Sequence, residues 1–196
     1  PVMKTSEKQV YEFVFKGLLT EEALDRAGRK NRSSLELGNE EIAEALSVSA
    51  LPADLTQEAA KMAIVYTAIA AFENMVRELI SGVLIEDKGE SWWVDAVSAK
   101  IRERAEKRRE DEVKIKWHTQ RGSDPINYTT MADLVNIIRN NWEQFEPHIQ
   151  SVDWAASIFD AVERSRNVIM HSGVLEKGDI ERLGIFIRDW VKQVGT

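Results

Sequence analysis

Residues 151–173 read SVDWAASIFDAVERSRNVIMHSG, and this stretch carries both ends of one helix and a polar face between them. Ser151 is an N-cap residue with Asp153 in the first turn, and Gly173 is a C-terminal stop. At about 100° per residue, Ile158, Val162 and Ile169 share one side and define the core face. With Glu163 set at zero, Asn167 falls at about 40°, His171 at about 80° and Arg166 at about 300°. One contiguous polar arc therefore flanks the core face. Within it, Glu163, Asn167 and His171 follow one another at i, i+4 and i+8, so each can touch the next.

Two readings of this arc stand side by side. In one, Arg166 makes a surface ion pair with Glu163, and His171 is a cation complementing the helix dipole. In the other, Arg166 binds phosphoryl oxygens and His171 moves a proton. Such a pair can cleave RNA without a metal. The ribose 2′-OH is the nucleophile, so the protein needs only a base, an acid and a charge stabiliser.

Working outward, the pattern stays helical. Gln57 to about Glu86 is a long helix with Ile69, Phe72, Val76, Leu79, Ile80 and Val83 on one stripe. A turn at Asp87-Lys88-Gly89 leads to a second long helix, Ser91 to Thr119, with Trp92, Trp93, Val97 and Ile101 at its start. Gly122-Ser123-Asp124-Pro125 is a loop. Thr130 to Asn140 is a helix with Asp133 at its third position, continuing or kinking into Trp142–Phe145 and closed by Pro147. Asp179 caps the last helix, which carries Ile180, Leu183, Ile185, Ile187 and Val191. Ahead of the main body, helices are expected over Glu7–Leu19, from an N-cap at Thr20 to Arg29, and from a cap at Asn39 to Pro52, with a loop over Lys30–Gly38. No alternating strand is visible. The class is all-α: a four- to five-helix bundle over 56–196, with the short helices of a 1–55 appendage packed on it.

Composition narrows the function. Of 196 residues, 43% are hydrophobic and 30% charged, the balance of a globular chain. Cysteine is absent, which removes disulfides, thiol catalysis and Cys-ligated zinc, and suits a reducing cytoplasm. The three histidines, His118, His148 and His171, match no metal-ligand spacing, and no metal or other cofactor is expected. The most apolar stretch, Met62–Phe72, falls well short of the roughly 20 residues a bilayer span needs, and no secretory segment is expected. Net charge is −7, against a wholesale nucleic-acid coat. Lys100–Arg121 nevertheless holds nine basic and five acidic residues. Arg102, Lys107, Arg108 and Arg109 are its candidate RNA contacts, with Trp117 to stack on a base. The competing reading is a solvated helix laced with pairs such as Glu103–Lys107 and Glu112–Lys116. Trp92 and Trp93 point about 100° apart, so one is core. Asn74 is a candidate buried polar contact.

The string Arg166-Asn167-Val168-Ile169-Met170-His171 resembles the Arg-Asn-x-x-x-His signature of the HEPN superfamily. Further residues resemble one subfamily, that of the C-terminal HEPN domain of a eukaryotic perinuclear mRNA quality-control endoribonuclease and its bacterial relatives. These are Phe72-Glu73-Asn74, Arg77-Glu78-Leu79-Ile80, Gly89, Trp92-Trp93, Arg102, Arg108-Arg109, Ile126-Asn127-Tyr128, Asp133-Leu134, Ile137-Ile138, Trp142 and Phe145. The likeness covers about Thr56 to Val194.

It implies an all-α bundle that forms a homodimer through the motif helix, with two Arg/His pairs lining one cleft. It implies a cytoplasmic, metal-independent endoribonuclease of RNA processing, toxin–antitoxin or phage defence, with an antitoxin or regulatory protein as a further partner. Arg166, His171 and Asn167 then form the catalytic set. Asn167 would orient the imidazole or accept a bond across the interface, Glu163 would hold Arg166 or the partner's Arg166, and Glu73 with Arg77 would support the motif helix from the neighbouring element or form a plain surface pair. The alternative is a non-catalytic HEPN module that binds RNA or a partner protein. A third reading is a dimerisation domain in which Arg166–Glu163 is only an ion pair.

Overall fold

The computed structural model describes residues 38–195 together with Lys16 and Thr20. The expected helices Glu7–Leu19 and Thr20–Arg29 and the Lys30–Gly38 loop otherwise lie outside the described residues. Thr20 is itself helical, and its hydroxyl donates to the Lys16 carbonyl at 2.8 Å. It bonds backwards into helical backbone instead of capping a new helix, as a threonine hydroxyl does inside a helix. The chain divides into two units, Pro1–Leu51 and Pro52–Thr196.

In the first unit, α1 spans Asn39–Ala45, followed by a 3-10 turn at Val48–Ala50. The cap is Gly38 rather than Asn39: the Glu41 carboxylate reaches back to accept the Gly38 N–H at 2.8 Å. The helix stops well before Pro52, where Ser47 turns to φ 52°.

The second unit is built on α2, Ala53–Lys88, a 36-residue helix about 54 Å long. Pro52 starts it and Gly89, at φ 66°, ends it. Its buried stripe is Met62, Val65, Ile69, Phe72, Val76, Ile80 and Leu84, with Leu79 and Val83 at the margin.

The single helix expected over Ser91–Thr119 is two. α3 is Trp92–Ala96 and α4 is Ala99–Val113, parted by Val97 in extended conformation. Val97 is buried, so the break lets the chain turn while keeping an apolar side chain in the core. Trp92 is buried and Trp93 packs edge-on against it at 5.5 Å. A 3-10 turn at Pro125–Tyr128 precedes α5, Met131–Asn140. Thr130 and Asp133 form a reciprocal capping box at its start. The kink into α6, Trp142–Phe145, falls at Asn141, whose amide donates to the carbonyls of Ala96 and Ile137.

α7 is Val152–Met170 and α8 is Lys177–Val194. Ser151 caps α7 by accepting from the Trp154 N–H. α8 is capped by Glu176, with Asp179 in the first turn instead. Its core residues are Leu183 and Trp190, while Ile180, Ile185 and Val191 are exposed. Trp190 holds the bundle together: it stacks on Trp154 at 5.6 Å and meets Phe72 and Phe159 at 5.7 and 5.1 Å. That cluster joins α2, α7 and α8. α5 packs on α7 and α2 from the other side. The described residues contain helices and no strand. None of these helices is long and apolar enough to cross a membrane.

Candidate functional site

The core face of α7, here Ala155, Ile158, Phe159 and Val162, turns the helix so that its polar arc meets the middle of α2. There Arg166 Nε lies 3.2 Å from Glu73 Oε1, and the second Glu73 oxygen lies 3.2 Å from Arg77 Nη2. Arg77 Nη1 donates to the Asn74 side-chain Oδ1 at 3.3 Å, and its Nε is buried with no partner among the described residues. Glu73 is thus a bridge between two arginines. Its side chain is 13% exposed, where solvent screens the pairs less than at the surface. This explains why Arg166 turns to Glu73 and not to Glu163, its expected partner. Glu163 instead lines the same cavity beside Arg166. Asn74 is exposed, contrary to the expectation of burial.

That cavity measures about 450 Å³. α2 contributes Glu73, Asn74 and Arg77, and α7 contributes Glu163 and Arg166. The connection into α5 adds Arg121, Asn127, Thr129, Thr130 and Met131. Its lining carries three arginines against two glutamates and, apart from Met131, is otherwise polar, which suits an anion.

Asn167 and His171 are exposed and do not line the cavity. His171 is the C-cap of α7. Ser172 N–H bonds the Ile169 carbonyl and Gly173 N–H bonds the Val168 carbonyl, at 2.9 and 2.8 Å. This is a Schellman ending in which Ser172, at φ 61°, takes the left-handed position. Gly173 is needed for another reason: a Cβ there would lie 2.7 Å from Val168 Cγ1 and 2.9 Å from its carbonyl oxygen. The ending fixes where His171 stands, about 7.5 Å along the axis from Arg166. Beyond it lies an apolar hollow lined by Ile169, Met170 and Val174 with Met62 and Tyr66 of α2.

The match to known proteins decides the family, because residues 67–195 fit the Swt1-like HEPN family model. The chain belongs to the Swt1-like HEPN family. This is a family of RNase-like domains. No curated protein and no solved structure matches the chain significantly. Every residue lining the polar cavity falls inside the HEPN match, as do Asn167 and His171.

The HEPN domain uses its basic helix differently from the sequence expectation. Arg108 Nη1 donates to the Tyr128 carbonyl at 2.6 Å and to the Asp133 carboxylate at 3.3 Å. Arg104 holds the other Asp133 oxygen, and Arg102 Nε donates to the Val97 carbonyl at 3.0 Å. These arginines tie α4 to its surroundings. Arg109 pairs with Glu106, whose carboxyl is lowered by the hydrogen bond from Arg109. Of the four expected contacts, Arg108 and Arg109 have carboxylate partners, Arg102 bonds only a backbone carbonyl, and Lys107 has no ion-pair partner among the described residues. Glu112 pairs with Arg121 and not with Lys116. Trp117 is 86% exposed. His118 and His148 are surface residues.

Arg121, Asn127, Thr129 and Thr130 line the cavity but were not among the site residues expected from sequence. Arg121 sits outside any helical period, at the end of a charge run that disguises it. The Thr130-x-x-Asp133 capping box was the usable signal, since it announces a helix N-terminus, where anions bind.

Proposed function

We propose that this HEPN domain is a metal-independent endoribonuclease acting as a homodimer, with Arg166 and His171 as its chemical pair. The observation that carries the reading is the presentation of Arg166. Glu73 occupies its Nε, which leaves the two terminal nitrogens for phosphoryl oxygens at the mouth of a polar cavity. A base removes the proton from the ribose 2′-OH. The 2′ oxygen then attacks phosphorus, the P–O5′ bond breaks, and an acid protonates the departing 5′ oxygen. The products are a 2′,3′-cyclic phosphate and a 5′-hydroxyl. Arg166 stabilises the negative charge that builds on the phosphoryl oxygens.

The same geometry supports a dimer. Arg166 and His171 diverge by about 140° around α7, so one subunit offers the phosphate a grip or a proton carrier more readily than both. A two-fold axis beside the helix end supplies the missing members and a second imidazole, so that one serves as base and the other as acid. Exposed Val168, Met170 and Val174 surround His171 with the apolar surface such an interface requires. A role in defence, toxin–antitoxin pairing or RNA processing, with a regulatory partner, rests on the family likeness.

The second reading is an RNA-binding HEPN module without catalysis, favoured by the position of His171 outside the cavity. Incubation of the wild type and His171→Ala with single-stranded RNA in EDTA separates the two. Cleavage by wild type alone supports the nuclease. Equal binding by both proteins with cleavage by neither supports the binding module.

A further inference from the structure

We propose that Arg121 is a second phosphate grip, holding an RNA phosphodiester that flanks the one at Arg166; this rests on the ribonuclease reading above. The two arginines are presented by the same device. A glutamate from elsewhere in the fold takes Nε in each case: Glu73 for Arg166 and Glu112 for Arg121. Among the described residues neither guanidinium has a hydrogen bond from its terminal nitrogen pair, the edge that matches two phosphoryl oxygens. Both side chains line one cavity.

Arg121 is fixed before any ligand arrives. Its guanidinium carbon stands 5.7 Å from the centre of the Tyr128 ring, within cation–π range. Tyr128 is fully buried, and its hydroxyl donates to the carbonyl of Gly122, the next residue along, at 3.2 Å. The Glu112 carboxylate also accepts the Arg121 backbone N–H at 3.2 Å. A side chain already held in one place loses less freedom on binding. The first turn of α5, through Thr130 and Met131, faces the same cavity and adds the positive end of its dipole. This cavity is locally cationic on a chain of net charge −7, so the local field favours an anion here.

Position separates binding from chemistry. Arg121 and Arg166 line the cavity, and His171 does not. A phosphate on Arg121 is therefore removed from the proton carrier. Arg121 sets affinity and register on the strand, while bond breaking stays at Arg166 and His171.

The test uses the full chain, a cleavable single-stranded RNA, and a fluorescein-labelled 2′-O-methyl copy that binds without being cut. Arg121→Ala is expected to raise KM and the Kd for the 2′-O-methyl strand about tenfold and to leave kcat within about twofold. The slope of log Kobs against log salt should fall by about 0.7, the value for one single-strand phosphate contact. Glu112→Gln keeps the cation but loosens its hold, and should raise Kd by less than Arg121→Ala does. An unchanged Kd and slope in Arg121→Ala would overturn the proposal. So would Glu112→Gln binding more weakly than Arg121→Ala, because the loss would then lie in the loop and not in the cation. Wild-type cleavage with no effect of Arg121→Ala sinks this proposal alone. Arg121-dependent binding without cleavage sinks the nuclease reading alone. No RNA binding by wild type sinks both.

Discussion

At the scale of single residues, the site turns on Glu73, which holds two arginines with one carboxylate. Glu73→Gln removes the charge but keeps the shape. Arg166 then loses its fixed orientation, and cleavage should fall about 10- to 100-fold. Binding of the 2′-O-methyl strand should hold or strengthen, since a negative charge has left the cavity. A parallel loss of binding and cleavage would show that Glu73 serves folding rather than orientation. Asp133 plays the matching structural part. It caps α5 and binds Arg104 and Arg108, with its own side chain 3% exposed. Asp133→Ala strips a cap and leaves two arginines unmatched, and should cost about 2–4 kcal/mol in urea unfolding, after discounting for the exposure of both arginines. The same contacts explain why the basic helix misleads in sequence. Charge is visible along Lys100–Arg121, but the partners of Arg108 lie 20 and 25 residues away, and no helical period reveals them.

At the scale of elements, local chemistry was legible and tertiary demand was not. Ser151 and the Thr130–Asp133 box announce α7 and α5, because a cap is written within four residues. The arc holding Glu163, Arg166, Asn167 and His171 follows from the helical repeat alone. The break at Val97 has no such signature. It arises because Trp92, Val97 and Ile101 all reach the core, which one straight helix cannot arrange against α2. Trp190 was missed on α8 for a similar reason: exposed isoleucines mimic a core stripe there, and the aromatic partners that bury Trp190 come from α2 and α7. The end of α7 gives a direct check. Ser172 occupies a left-handed position that glycine adopts without cost. Ser172→Gly should stabilise the protein by about 0.5–1 kcal/mol, raising Tm by roughly 1–4 °C. Gly173→Ala should lower Tm, because its Cβ collides with Val168. A lower Tm in Ser172→Gly would mean that the serine side chain supports the helix end.

At the scale of the whole molecule, the bundle presents an apolar helix end around an exposed histidine, and the proposed dimer closes over it. Met170→Glu puts a charge into that surface without touching the described core. It should leave helicity intact, shift sedimentation from a two-chain to a one-chain mass, and cut cleavage more than about tenfold at micromolar concentration. A one-chain wild type with full activity would dispose of the shared cleft. The all-α class was readable from periodicity and from the HEPN resemblance. The cavity was not, because three segments distant in sequence build it. The most direct measurement is the chemical identity of the ends produced from a defined oligonucleotide in EDTA, alongside a copy carrying a single 2′-deoxy at the cut site. The nuclease reading requires a 2′,3′-cyclic phosphate, a 5′-hydroxyl, no cut at the deoxy position, and no cleavage by His171→Ala. A 3′-hydroxyl with a 5′-phosphate, or cleavage unchanged in His171→Ala, would contradict it.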